Sequence, residues 1–214
     1  MRLIHRSHTP RCLDKLSRAT HRTRRFAAVL LCTFLFVLLA VAAVSCGNSS
    51  LRSAQRSDPS PSGFRIESAA FKQGAFIPPR FSCSGENVSP PLKWSNPPAV
   101  ARSFTLIVDD PDAPAGTWTH WVVFNLPAQT RALDENAPKQ DKLPKGGLQG
   151  LNSFGSVGYG GPCPPPGKTH RYFFRLYALN TVLSVHPGAD REDVLSALKG
   201  HTLGEADLIG RFKR

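Results

Sequence analysis

From residue 64 onward the apolar positions fall into short runs divided by turn residues. Phe64-Arg65-Ile66-Glu67 alternates apolar and polar, the period of a half-buried strand. Phe104-Thr105-Leu106-Ile107-Val108 is nearly unbroken and β-branched, as expected of a central strand covered on both faces. Trp121-Val122-Val123-Phe124-Asn125-Leu126 repeats that character. Tyr172 to Leu179 does so again, with one charge, Arg175, in the middle. Ala206 to Phe212 reads as a closing strand. A single helix is predicted near the end: Asp190 can cap it, Val194, Leu195 and Leu198 share a face, and Gly200 stops it. The intervals are dense in Pro and Gly, as at Pro78-Pro79, Pro90-Pro91, Pro97-Pro98 and Gly146-Gly147. That punctuation favours strands joined by long loops over a βαβ order. The predicted fold is mainly β: an antiparallel β-sandwich with one or two short C-terminal helices.

The first 63 residues follow different rules. Residues 1–25 carry eight Lys/Arg against one acid, Asp14, so most of the net charge of +12 belongs to them and the remainder is only mildly basic. No cluster of Lys/Arg with interleaved aromatics occurs in that remainder, which argues against nucleic acid as a partner. Phe26 to Val44 is apolar almost throughout, and Ser45-Cys46-Gly47 follows. A basic segment, an apolar segment and small residues describe an export signal. Ala43-Val44-Ser45-Cys46 resembles a bacterial lipobox, in which the cysteine is acylated, although Leu is the commoner residue where Ala43 stands. The apolar run also has about the length that spans a bilayer, so an uncleaved anchor is the second reading. Either one leaves the Arg-rich end in the cytoplasm and the rest of the chain outside. Residues 47–63, rich in Ser, Gln and Pro, read as a tether. The expected organisation is an export leader at 1–45, a tether at 46–63 and one domain at 64–214.

Cysteine usage agrees with export. Cys12 and Cys32 lie in the leader and Cys46 is the lipidation candidate. Cys83 and Cys163 are then the remaining pair, which an oxidising compartment would join, the alternative being two free thiols. Neither has a Cys or His at zinc-ligand spacing, and no metal or other cofactor is expected.

Two segments carry the candidate chemistry. Asp109-Asp110-Pro111-Asp112-Ala113-Pro114 precedes Trp118-Thr119-His120-Trp121. Gly158 to Gly167, with Cys163-Pro164-Pro165-Pro166 inside it, leads to His170-Arg171-Tyr172. Glycine lets backbone N–H groups approach an oxyanion, and successive amides can form an anion nest. Two histidines can donate hydrogen bonds and take up charge near neutrality. Asp110 can orient a ring by accepting its N–H, or accept from the ammonium of an ethanolamine-type head group. In isolation each element has a plainer role: DPDAP is an ordinary turn, Trp118 and Trp121 are core or pocket wall, Arg171 and Arg175 are ion-pair partners within the sheet, and His186 and His201 are structural.

In this order the motifs, with Ser89-Pro90-Pro91-Leu92-x-Trp94 and His201-x-Leu203, resemble the phosphatidylethanolamine-binding protein family, which includes the Raf kinase inhibitor proteins. The likeness runs from about Phe64 to Arg211, and the Cys83/Cys163 pair resembles the exported bacterial branch. The resemblance implies antiparallel sheets with a small pocket for phosphate-like anions at one end, and carries pocket roles to Asp110, Trp118, His120, Gly160, Gly161, His170 and Tyr172. The expected function is therefore a non-enzymatic, membrane-anchored extracytoplasmic binding protein for a small anionic or phosphorylated ligand, with a phospholipid head group among the candidates and the protein partner unspecified. Two alternatives stand beside it. One is an inhibitor acting on a protease or kinase through a surface loop. The other is a metal-dependent phosphoester hydrolase using Asp109, Asp110, Asp112, His120 and His170. No HExxH, GxSxG or P-loop supports the second, and adjacent Asp109 and Asp110 on a strand end must point to opposite sides.

Overall fold

A computed structural model describes residues 63–214. The expected leader, Cys46 and all of the tether but Gly63 lie outside the described residues. Eight strands form two antiparallel sheets. β1 (Arg65–Ser68), β2 (Leu92–Ser95) and β5 (Ala132–Leu133) make a small sheet in the order β1-β2-β5. β3 (Ser103–Asp110), β4 (Trp118–Pro127), β6 (Leu148–Gln149), β7 (Thr169–Leu179) and β8 (Thr202–Lys213) make the larger one, ordered β6-β4-β3-β7-β8.

The unbroken apolar run of β3 has the expected cause. It is the central strand, paired with β4 on one side and β7 on the other, and all of its residues are buried. Phe104, Leu106 and Val108 point into the core between the sheets, against Phe64, Ile66, Leu92, Trp94 and Leu133. Ile107 points the other way, with Val122, Phe124 and Leu179, into a second core roofed by Val194 and Leu198 of the helix α1 (Arg191–Leu198). Asp190 caps α1 by accepting the Asp193 N–H at 2.9 Å, as its residue type predicts. Among the described residues one α-helix is therefore present of the one or two expected. The three short strands β2, β5 and β6 complete the sheets without having announced themselves in the sequence.

Polarity runs along the sandwich. The C-terminal end of β3 and the N-terminal ends of β4 and β7 meet at one pole, as the pairs Asp110↔Trp118 and Asp109↔Phe173 show. The other pole holds the start of β3, the end of β7 and the start of β8, through Ser103↔Leu179 and Ala178↔Gly204. The two predicted motifs stand at the first pole.

Candidate functional site

Asp110 and Asp109 divide the work of that pole. The pleat sends successive side chains to opposite faces, so these two buried carboxylates serve separate sites. Asp110 faces the inter-sheet side. Its Oδ1 accepts the backbone N–H of Asp112 at 2.8 Å, closing the DPDAP turn, and its Oδ2 meets Nδ1 of His170 at 2.8 Å. Both oxygens are thus committed, and the partner that Asp110 orients is His170. Asp109 faces the helix side, where its Oδ1 accepts the Thr119 hydroxyl at 3.0 Å and its Oδ2 pairs with Arg191 at 3.0 Å and Arg175 at 3.7 Å.

His120 comes from β4. Its Nδ1 lies 2.6 Å from the carbonyl oxygen of Gly160. A carbonyl can only accept, so Nδ1 carries the proton and the remaining ring nitrogen is Nε2. Burial lowers the His120 pKa below its ordinary value, against a smaller opposing pull from the Gly160 carbonyl. The free imidazole is accordingly neutral at physiological pH, with an unprotonated Nε2. His170 has the same arrangement in its own place: Nδ1 is held by Asp110 and Nε2 is left.

Both histidines line a cavity of about 180 Å³, together with Asp110, Trp118, Phe154, Pro114 and Pro165. The His120 ring packs edge-on against Phe154 at 5.5 Å and Tyr172 at 5.1 Å, and Trp118 meets Phe154 at 5.4 Å. Tyr172 lies two residues beyond His170 on the same face of β7, beneath the cavity and not on its wall. Its hydroxyl is buried and has no hydrogen-bond partner among the described residues. Burial first, and the nearby Asp110 charge second, raise the Tyr172 pKa, so the phenol keeps its proton and remains a donor.

Gly160 and Gly161 have a different role from the expected anion nest. The Gly160 N–H donates to the His120 carbonyl at 2.8 Å, and the Gly161 N–H donates to Asn87 Oδ1 at 2.7 Å. These two amides are spent within the protein. What the positions require is space: a Cβ on Gly160 would stand 2.6 Å from the Phe154 ring, and one on Gly161 would stand 2.4 Å from the Phe81 carbonyl oxygen. Close approach seats the Gly/Pro segment against β4 and against the 3₁₀ turn Pro79–Phe81. Tyr159 reinforces the second contact by donating its hydroxyl to the Phe81 carbonyl at 2.7 Å. Cys83 and Cys163 are joined in a disulfide with Cα atoms 5.4 Å apart. Cys163 lines the cavity, so the bond braces its Pro-rich wall directly.

The remaining residues sort clearly. Arg171 grips Asp112 through Nε at 2.9 Å and Nη2 at 2.7 Å, and its backbone N–H donates to the same carboxylate. This fork holds the Asp112 carboxyl at about 2, well below the ordinary range, and ties the DPDAP loop to β7. Arg175 bridges Asp109 and Asp207 and lies over the Phe173 ring at 4.8 Å. Trp121 is core, its Nε1 donating to Gln149 at 2.7 Å. His186 and His201 are exposed and form local hydrogen bonds away from the cavity. The set once considered for a metal is thereby dispersed, because Asp109 faces the arginines of the other side and Asp112 is gripped by Arg171. Phe154 was missed by sequence reasoning. It reaches the cavity because Asn152 Oδ1 accepts the N–H groups of Phe154 and Ser156, folding the loop back on itself. An Asn-Ser-Phe-Gly turn is visible in the sequence; its destination is not.

Comparison with known proteins gives one consistent answer. A family model described as phosphatidylethanolamine-binding protein matches residues 67–213. A UPF0098 protein of Methanothermobacter thermautotrophicus is 56% identical over 149 residues, spanning 70% of this chain and 98% of that protein. The crystal structure of a phosphatidylethanolamine-binding protein homologue from Chlamydia trachomatis superposes with a TM-score of 0.66 at 40% identity, covering 72% of this chain and 99% of that one. Escherichia coli YbcL, described as a new member of the mammalian family, gives a TM-score of 0.67 at 36% identity, over 71% and 99% of the two chains. The motifs, the two-sheet architecture and these likenesses converge: the chain belongs to the phosphatidylethanolamine-binding protein family.

Proposed function

We propose that this protein is a membrane-anchored, extracytoplasmic binding protein whose pocket takes a small phosphate-like anion. The observation that carries the reading is the matched state of the two histidines. Each has its Nδ1 held by a fixed acceptor, Gly160 or Asp110, so each can offer only Nε2 to the cavity they share. Protonated, both become donors aimed at one ligand. Beneath the cavity the Tyr172 O–H is buried with no hydrogen-bond partner among the described residues; leaving such a donor unmatched costs about 1–3 kcal/mol, which a water between it and the ligand can recover. The walls of Pro114, Trp118, Phe154 and Pro165 keep the local dielectric low and strengthen each of these bonds. At about 180 Å³ the cavity is smaller than the roughly 300–1,000 Å³ of sites for drug-sized ligands. It suits inorganic phosphate or a phosphorylated head group and not a whole lipid.

A binding role is favoured over catalysis by the wall itself. It offers no Ser, Thr or free thiol as a nucleophile, and its one cysteine is in the disulfide. The anchoring half of the proposal rests on the basic-apolar-Cys46 order of the leader.

The test is titration of the protein, labelled at histidine, with inorganic phosphate and then phosphoethanolamine, followed by NMR. The His120 and His170 ring signals should shift together and saturate, with His186 and His201 as internal references. If neither ring responds to either anion, the pocket reading fails. Mass analysis of the mature N-terminus tests the anchor separately: an acylated Cys46 supports lipidation and an intact leader supports the uncleaved anchor. A cleaved, unmodified terminus refutes both.

A further inference from the structure

We infer that the pole opposite the cavity is a membrane-facing surface that rests on a lipid bilayer, so that the pocket opens away from the membrane carrying the protein. This rests on the anchoring proposed above and adds an orientation to it. The described chain begins at Gly63, and Phe64 is fixed at that opposite pole. It packs on Phe104 near the start of β3, with ring centroids 6.3 Å apart, and a Cβ on Gly204 of β8 would stand 3.7 Å from its ring. The chain upstream of residue 63 therefore joins the domain at this end. The cavity lies at the other end: between the pairs Ala178↔Gly204 and His170↔Phe212 the β7–β8 ladder runs eight residues, about 26 Å at ~3.3 Å each.

The same pole carries the surface that a bilayer would cover. Six large hydrophobic side chains are exposed among the described residues, and the two most exposed are here: Val100 at 70% and Val182 at 61%, with Leu203 at 37% beside them. They sit on neighbouring turns. The Arg102 N–H donates to the Leu179 carbonyl and the Ser103 hydroxyl to the Thr181 carbonyl, which brings the Val100 turn against the Val182 turn. The Asn180 N–H donates to the His201 carbonyl and draws in the start of β8. The strand ends and turns of this pole also carry exposed Arg65, Arg102 and Lys199, none in an ion pair among the described residues, against exposed Glu205 of β8. Apolar tips with an excess of basic side chains suit shallow insertion between anionic head groups. Of the other three, which lie toward the cavity end, Phe76 is covered by the Arg211 guanidinium at 4.8 Å from its ring, and Leu151 and Phe154 belong to the loop that forms the cavity wall.

The experiment uses the full chain as cells process it, with Cys12→Ser and Cys32→Ser, and Cys46→Ser as well where mass analysis finds the leader uncleaved, so that no thiol upstream of the domain is labelled. Single cysteines at V100C, V182C or P165C carry an environment-sensitive fluorophore. The protein is reconstituted into phosphatidylglycerol/phosphatidylethanolamine vesicles, and brominated lipids serve as quenchers. Labels at 100 and 182 should gain several-fold in emission and be quenched, while the label at 165 should be unchanged. Flotation of the same samples reports anchoring, and the NMR titration reports the pocket, so failure of those readings is seen independently. Floating protein with equal quenching at all three positions, or stronger quenching at 165, overturns the orientation. Failure to float overturns it together with the anchor. Protection of residues 100 and 182 without lipid, with a dimer mass, assigns the surface to a second copy of the chain and equally refutes it.

Discussion

His120 should make anion binding a proton-consuming reaction. Its Nδ1–H is pinned to the Gly160 carbonyl and burial lowers its pKa below the ordinary value of 6.5. Above pH 6.5 the free protein therefore presents an unprotonated Nε2, which repels an anion's oxygen until a proton arrives. A folded-state pKa that is low without ligand and raised with ligand makes affinity highest below the free pKa and progressively weaker as pH rises toward the liganded one. Each proton taken up costs a factor of about ten in affinity per pH unit, or about 1.4 kcal/mol. Sulfate is the suitable probe because its own charge does not change over this range. Isothermal titration between pH 6.5 and 8.5 should show roughly a hundred-fold loss of affinity per proton, and binding heats that scale with the ionisation enthalpy of the buffer. The measure is the difference between the native protein and His120→Gln, whose slope should be smaller by one proton. A native affinity that is flat with pH, or a His120→Gln variant with the full slope, would refute the tautomer assignment and the donor role built on it.

Other consequences are testable by stability. Gly161→Ala places a methyl group 2.4 Å from backbone, the Phe81 carbonyl, and should cost about 1–3 kcal/mol in denaturant unfolding. Gly160→Ala meets only the Phe154 ring at 2.6 Å, so it should displace that ring and weaken anion binding with a smaller loss of stability. Replacing both Cys83 and Cys163 by Ser releases a bond across 80 residues. That should cost about 4 kcal/mol and lower the calorimetric Tm by roughly 10 °C. Asp109→Asn leaves Arg191 and Arg175 without their buried carboxylate and should cost about 2–3 kcal/mol, yet the His170 NMR signals should keep their anion response.

Much of the fold was legible because the larger sheet has long strands with distinct environments. β3, buried on both faces, shows as a continuous apolar run; β1 shows as an alternation; α1 shows through Asp190 and its two buried leucine-family contacts, Val194 and Leu198. The strands β5 and β6 have two residues each, too few for any period to register, and β2 hides behind Pro90-Pro91. The site was legible where local sequence dictates local geometry. Opposed Asp109 and Asp110 follow from the pleat, and the Asp112 turn follows from its residue types. It was illegible where tertiary approach decides. Gly160 and Gly161 look like flexible amide donors in sequence, and only the proximity of Phe154 and Phe81 shows them as steric necessities. Which histidine Asp110 would orient was open for the same reason: β4 and β7 both flank the end of β3, so the sheet order leaves both eligible, and only the 2.8 Å approach of His170 Nδ1 to Asp110 decides.

The paired carboxylates at the end of β3 also limit how the chain can vary. A one-residue insertion or deletion within β3 would rotate Asp109 into the cavity and Asp110 toward Arg191, dismantling the histidine brace and the helix anchor in one event. Between β3 and β4, length changes become tolerable once the DPDAP turn is closed, in the exposed stretch from Pro114 to Thr117. That stretch borders the cavity at Pro114 and Trp118. The place where the chain is free to lengthen or shorten is thus the rim of the pocket, so ligand preference can diverge by loop exchange while the buried charge pattern beneath stays fixed.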